Sequence, residues 1–316
     1  MKKLFLFVCS LSLFVGCGNL VQSPEPELSE STIIFADGTS VSKDLKIGQY
    51  INPISGDGNG VITYSSSNQS VASIDNNGKL TLLAEGQSLI TASKEKTDAY
   101  KAVNKSYTIT VTSTLQYTVT YENAVTWVNS IGTTWVQVIV ELENTGSCPI
   151  YLSSGSYDLT NSSGSIVASK SYISEYPQVV AVGEKAYLYD ETTLDNPVSG
   201  KLTVTPRFNE KKSTIENIRF NVSDVTLTDT TYYGVKAIGK IENKTSLTET
   251  ATIYVVIVLL DSNNKPIGVL YDLIFDDFPA QSSMGFEATS LSMPDSINKQ
   301  SVANYITYAY PVRYQF

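Results

Sequence analysis

The sequence predicts an all-β protein, three β-sandwiches in tandem behind a signal-like leader. Three observations carry this expectation. Short runs rich in Val, Ile, Thr and Tyr recur between Asn, Gly, Ser and Pro turns. No convincing 3.6-residue apolar stripe crosses the globular part. The 316 residues provide for two or three units at roughly 100–200 residues each.

Composition narrows the function classes. With 42% hydrophobic and 17% charged residues the chain can build packed cores. It has no histidine, which removes Ser-His-Asp and Cys-His catalysis and His-ligated zinc. Cys9, Cys17 and Cys148 are too few for a four-cysteine zinc site or a disulfide framework. A net charge of −9 and a pI near 4.7 argue against a nucleic-acid partner. No cofactor and no metal is expected.

The elements follow in order. Met1, Lys2 and Lys3 form a basic n-region, and Leu4 to Val15 is an apolar run too short to span a bilayer, which takes about 20 residues. Phe14-Val15-Gly16-Cys17 resembles a bacterial lipobox, with Phe14 where leucine is commoner. That resemblance implies cleavage after residue 16, a signal peptide over 1–16, and acylation of Cys17. Several acyl chains give a stable membrane anchor where one gives marginal binding. The expected location is the extracytoplasmic face of a cell membrane or outer membrane. Cleavage removes Lys2 and Lys3 and no acid, so anionic lipid repels the globular part and the anchor is what holds it. Residues 17–30, with Pro24, Pro26 and three glutamates, read as the lipidated cysteine and a disordered tether. Cys148 then reads as a small buried apolar residue.

In residues 31–113, strands are expected at Val61 to Tyr64, Val71 to Ile74, Lys79 to Leu82, Ser88 to Ala92 and Tyr107 to Thr112. Asp75-Asn76-Asn77-Gly78 marks a hairpin turn, because Asn and Gly tolerate positive φ. Asp57 to Gly60 reads as a turn and lacks the ligands of a calcium loop. Ile62 to Asn68, Val71 to Asp75, Gly78 to Leu80, Ala84 to Gly86, Ile90 to Ala92 and Tyr107 to Val111 together resemble a bacterial Ig-like domain of the group 2, invasin/intimin type. The resemblance implies an Ig-like sandwich serving as a surface spacer or adhesive module, with no catalytic residues.

Residues 115–206 and 214–316 share landmarks. Glu143-Asn144 recurs as Glu242-Asn243, and Tyr187 as Phe286, each 99 residues later. Polar turns stand between them at Asn161 to Gly164 and Asp261 to Asn264. The economical reading is an internal duplication. The order of these features resembles the FxLYD-type β-sandwich of bacterial extracytoplasmic proteins, more closely in the third segment. There it runs through Val235 to Asn243, Thr252 to Asp261, Lys265 to Gly268, Phe278-Pro279 and Phe286. Val138 to Gly146 of the second segment also resembles antigen-like lipoprotein domains. Polar Phe208 to Ser213 is read as the boundary. Strand parity places Val136, Val138, Val140 and Leu142 in a core, and Trp135, Gln137, Ile139 and Glu141 on the other, more polar face. Ile253 to Leu260 is apolar on both faces and should be a central strand covered on both sides. Tyr308, Tyr310, Val312, Tyr314 and Phe316 should close the last sheet, and Asp295 to Ala303 is the one place for a short helix.

Four candidate sites stand beside bland readings. Trp127, Trp135, Tyr172 and Tyr176 are the candidate aromatic ligand platform, Trp135 foremost, against ordinary strand aromatics. Asp190, Glu191, Asp272, Asp276 and Asp277 form an acidic set, against a solvated edge loop. Ser-x-x-Lys occurs four times, only Ser296 to Lys299 on a plausible helix, and serine abundance accounts for the matches. Gly234 to Lys240 matches a phosphate loop but continues with Ile241 and reads as a strand. No catalytic residue is assigned. The functional expectation is a non-enzymatic, membrane-anchored binding or adhesion module for a protein or glycan ligand. The alternatives are an assembly subunit of an envelope complex and, more weakly, a carboxylate-only hydrolase.

Overall fold

The computed structural model describes residues 26–198, 200–231 and 234–315. Cys17, the leader and Phe316 lie outside the described residues. Among those described there is no α-helix, and there are 23 strands. β-branched and aromatic residues on alternating positions dictate this, since they suit a pleated surface with one covered face.

The first unit holds β1 (Ile34–Phe35), β2 (Ser40–Asp44), β3 (Gln49–Ile51), β4 (Ile54–Ser55), β5 (Ile62–Ser66), β6 (Ala72–Ile74), β7 (Lys79–Leu82), β8 (Gly86–Lys94) and β9 (Val103–Thr112). A β2-β9-β8-β5 sheet packs on a β3-β7-β6 sheet around Leu80, Ile90, Ala92 and Ile109. The Asp75–Gly78 turn forms as expected. Asp75 Oδ1 accepts from Asn77 N at 2.8 Å and Lys79 N at 2.9 Å, and Gly78 has φ 78°. The tether is pinned before its expected end. Ser29 bridges to Tyr100, and Lys101 pairs with Glu30 at 2.7 Å.

The second unit holds β10 (Tyr117–Val128), β11 (Thr134–Asn144), β12 (Ile150–Thr160), β13 (Ile166–Ile173), β14 (Glu175–Tyr176), β15 (Val179–Val180), β16 (Lys185–Thr193) and β17 (Thr203–Lys212). The third holds β18 (Asn221–Thr230), β19 (Gly234–Asn243), β20 (Ile253–Leu260), β21 (Pro266–Ile274), β22 (Ser282–Ala288) and β23 (Asn304–Pro311). Their topologies correspond. β10-β11-β16 matches β18-β19-β22, and β13-β12-β17 matches β21-β20-β23.

The recurring Glu-Asn landmark has a physical purpose. Asn144 Nδ2 donates to Cys148 O and Val180 O, both at 2.9 Å, while its Oδ1 accepts from Gly146 N at 3.0 Å. Asn243 Nδ2 donates to Leu247 O at 3.0 Å and Phe278 O at 3.1 Å, and its Oδ1 accepts from Thr245 N at 3.0 Å. Each buried amide thus ties the loop after its strand to a distant segment through three hydrogen bonds to backbone groups.

Several expectations are corrected. The boundary segment Phe208 to Ser213 is largely strand. β17 continues to Lys212, and Phe208 points inward to stack edge-on against Tyr117 at 5.5 Å. The polar residues on either side of Phe208 in β17, Arg207 and Asn209, are exposed. The Tyr187 and Phe286 match also fails. Tyr187 sits opposite Glu141 on the outer face, whereas Phe286 sits opposite Gly239 and packs in the core. The true counterpart of Phe286 is Leu188, because one residue fewer intervenes in the third unit, and a one-residue slip reverses a strand's faces. Asp295 to Ala303 holds only a 3-10 turn at Lys299–Ser301, capped by Asn298, with Ile297 turned into the core. Gly234 to Lys240 lies in β19 as a strand.

The units meet differently. Between the first and second, polar contacts prevail: Lys46 Nζ to Thr145 O at 2.7 Å, Thr114 Oγ1 to Asp44 Oδ2 at 2.6 Å, and Lys212 Nζ to Glu85 Oε1 at 2.8 Å. Between the second and third, the outer face of β10-β11-β16-β14 lies against the outer face of β21-β20-β23. Ile139, Tyr176, Tyr187 and Tyr189 form one core there with Val256, Val258, Leu260, Val269, Tyr308 and Tyr310. This is why β20 is apolar on both faces. Ile253, Val255, Ile257 and Leu259 fill its own sandwich and the intervening residues fill the junction. It also corrects the reading of β11, whose supposedly polar face is buried beneath the third unit.

Candidate functional site

The four aromatic candidates do not form one platform. Trp127 and Trp135 are directly opposite on β10 and β11 and stack, with centroids 6.1 Å apart and planes at 20°. Both are half-buried, and Trp135 Nε1 is buried without a hydrogen-bond partner. Tyr176 is withdrawn from solvent and only 5% exposed. It stacks on Tyr271 at 6.0 Å and meets Tyr254 edge-on at 5.5 Å, as part of the core joining the two later units. Exposed recognition by Tyr176 is therefore ruled out by the packing of the third unit.

Tyr172 is the opposite case. It is 90% exposed. Between the pairs Ser156–Ser171 and Gly155–Ile173 it is the extra residue of a β-bulge, and its φ is 60°. A bulge re-aims a side chain out of the ladder, and a left-handed tyrosine costs backbone free energy. Gly155 opposite faces the interior, where its lack of a side chain leaves room for Leu188 and Glu175. A Cβ there would collide with Leu188 Cδ1 and lie 2.9 Å from Glu175 Oε1.

Two clefts flank Tyr172. One, of about 190 Å³, opens between the second and third units, walled by Tyr176, Tyr189 and Tyr271 with Glu191 and Leu291. The other, of about 250 Å³, lies on the outer face of the β12 sheet among Ser154, Ser156, Ser171, Arg207 and Asn209. Strand β14 pairs with only residues 187–188 of β16, so the first cleft opens where β16 runs on past it.

Glu191 anchors the first cleft. It is 7% exposed. Its Oε2 accepts from Leu291 N and Ser292 N at 2.8 Å, and its Oε1 accepts from the Tyr189 hydroxyl. Burial pushes its carboxyl up to about 7, against the opposing pull of these three donors. Glu175, on the inner face, is pushed up to about 8 by burial and has an unpartnered Oε1.

The acidic set is dispersed. Asp190 accepts from the Tyr157 hydroxyl at 2.5 Å inside the second unit, while Asp272 accepts from Leu273 N and Glu287 N. Asp276 and Asp277 are exposed loop residues. Among the described residues no group of three or more acids and cysteines is placed to hold a metal ion. Tyr189, Tyr271 and Leu291 were missed as site residues. Each belongs to a strand or loop whose partner lies in another unit, and no spacing rule reports that.

Residues 40–103 match the family described as Bacterial Ig-like domain (group 2). The match spans β2 to the start of β9. Domains of this family are typically surface adhesion or binding modules, and such sandwiches are typically non-enzymatic. No curated protein matches the chain.

Proposed function

We propose that the chain is a bacterial cell-surface lipoprotein, anchored through Cys17, that binds a protein or glycan ligand without catalysing a reaction. The observation that carries this reading is the group 2 Ig-like match over residues 40–103. The lipobox-like Phe14 to Cys17 supports the anchor, and the FxLYD-like order of features supports extracytoplasmic sandwiches in the later units. The first unit serves as stalk or contact module, joined to the rest through polar contacts. The second and third units form a single recognition body through their shared aromatic junction, consistent with clefts at its rim.

The test is a pull-down with the full chain in detergent against two pools: solubilised envelope of the source cell, and an array of glycans and matrix proteins. Specific retention of an array ligand is expected. Enrichment of an envelope protein with a silent array would replace this reading with that of an envelope assembly subunit. Trp135→Ala should weaken capture if the Trp127–Trp135 stack contributes, and unchanged capture removes that stack from the binding surface.

A further inference from the structure

We infer that Tyr172 is the central stacking residue of a carbohydrate site, and that a neutral oligosaccharide lies across it with one ring in each flanking cleft. This rests on the surface-binding reading and specifies its ligand class.

Four observations converge. The Tyr172 ring is almost wholly in water, where a large apolar face is disfavoured. The fold nevertheless holds it there by a bulge and a left-handed backbone, a conformation that persists only where the surroundings impose it. Tyr172 is the one side chain shared by the two clefts, so any ligand occupying both must cross its ring. A second irregularity, in the pairing of β12 with β17 between Leu152 and Gly155, opens the β12 cleft at the same level. Two breaks in neighbouring ladders thus meet around a single exposed aromatic.

The cleft chemistry selects the ligand. One side presents the Glu191 carboxylate, with Asp190 beside it, among tyrosines. The other presents Ser154, Ser156 and Asn209 with the Arg207 guanidinium, which also pairs with Asp158. The ionic side chains of the two clefts are opposite in sign. An anion or a cation spanning both meets one of them unfavourably, whereas a neutral polyhydroxylated chain does not. Sugar hydroxyls donate to the carboxylate and accept from guanidinium and amide, and the C–H face of a ring stacks on Tyr172. An apolar peptide would leave these polar groups desolvated and unpaired.

The test uses the full chain in detergent on an array of neutral cello-, chito-, malto-, xylo- and manno-oligosaccharides of one to six units. The expected result is retention of at least one series from the disaccharide upward, with the monosaccharide at least about tenfold weaker. Tyr172→Gly should cut binding at least about tenfold while the unfolding midpoint holds or rises, because glycine accepts the left-handed backbone without strain. Asn209→Ala, an exposed site in the β12 cleft, should weaken the oligosaccharide and leave residual monosaccharide binding unchanged. Equal affinity for monomer and oligomer, or undiminished binding by Tyr172→Gly, overturns the inference. So does a silent oligosaccharide array. If the pull-down then captures a matrix protein specifically, the surface-binding reading survives. If both are silent, neither does.

Discussion

Strand β12 of the second unit and β20 of the third occupy the same place in the same fold, and their inner faces are interchangeable in character. Tyr157 and Leu159 answer to Ile257 and Leu259. Their outer faces are not. β12 shows Ser154, Ser156, Asp158 and Thr160, whereas β20 shows Tyr254, Val256, Val258 and Leu260. The partner strands follow suit, with Thr205 and Arg207 on β17 and Ile306, Tyr308 and Tyr310 on β23. A second pair repeats the lesson. Ile139 of β11 is 1% exposed, and Ile238, its counterpart on β19, is 42% exposed. The inner pattern is set by the sandwich, which both units must fill. The outer pattern is set by the neighbour, which only one face of each unit has. The two remaining outer faces are polar, as the ends of a stack must be.

This comparison can be broken most forcefully at its centre. Val258→Asp places an unpaired carboxylate in the junction and should cost more than about 4 kcal/mol in chemical denaturation. Next, Ile139→Ala should cost about 3 kcal/mol and Ile238→Ala no more than about 0.5 kcal/mol, despite equivalent positions. Equal costs would show that the junction is not formed in solution. Asn144→Ala and Asn243→Ala sharpen the likeness instead. Each removes three buried side-chain-to-backbone hydrogen bonds, and each should lower stability by about 2–3 kcal/mol.

The smallest of these effects comes from an element the third unit lacks. Glu175 lies on β14, which has no counterpart there. Its folded pKa of about 8 is above its unfolded value, so the native state favours the protonated form. Its contribution is fully present below about pH 4.5 and is lost as pH rises through 8. Glu191, raised to about 7, acts in the same direction over pH 4.5 to 7. Glu175→Gln should therefore be more stable than the parent at pH 8, on the order of 2 kcal/mol, and should flatten the pH dependence of the unfolding midpoint. A midpoint at pH 8 no higher than the parent's would count against this burial.

Much of this architecture was legible in the sequence, for identifiable reasons. Eight consecutive apolar residues at Ile253 to Leu260 report double coverage, because nothing else places such a run in a sandwich. The valine face of β11 was legible from period two alone. Its other face was not, since Gln137 and Glu141 look solvent-facing. In fact Gln137 donates to the Tyr189 hydroxyl at 3.0 Å, and Glu141 accepts from Lys185, Thr120 and Tyr187. Polar residues can line a buried junction when each finds a partner, and sequence does not reveal the partner. The Tyr172 bulge is likewise invisible, because the extra residue is defined only by register against β12. In the sequence Tyr172 is visible only as an aromatic; its exposure, its strain and its two clefts are properties of pairing at long range.

The central claim is that the second and third units form one body through their facing sheets, with the first unit joined more loosely. Differential scanning calorimetry of the full chain tests it directly. The account predicts that residues 114–315 melt in a single cooperative transition, separate from the first unit, and that Val258→Asp splits that transition in two. Separate melting of the second and third units in the parent chain, or an unaltered trace for Val258→Asp, would contradict it.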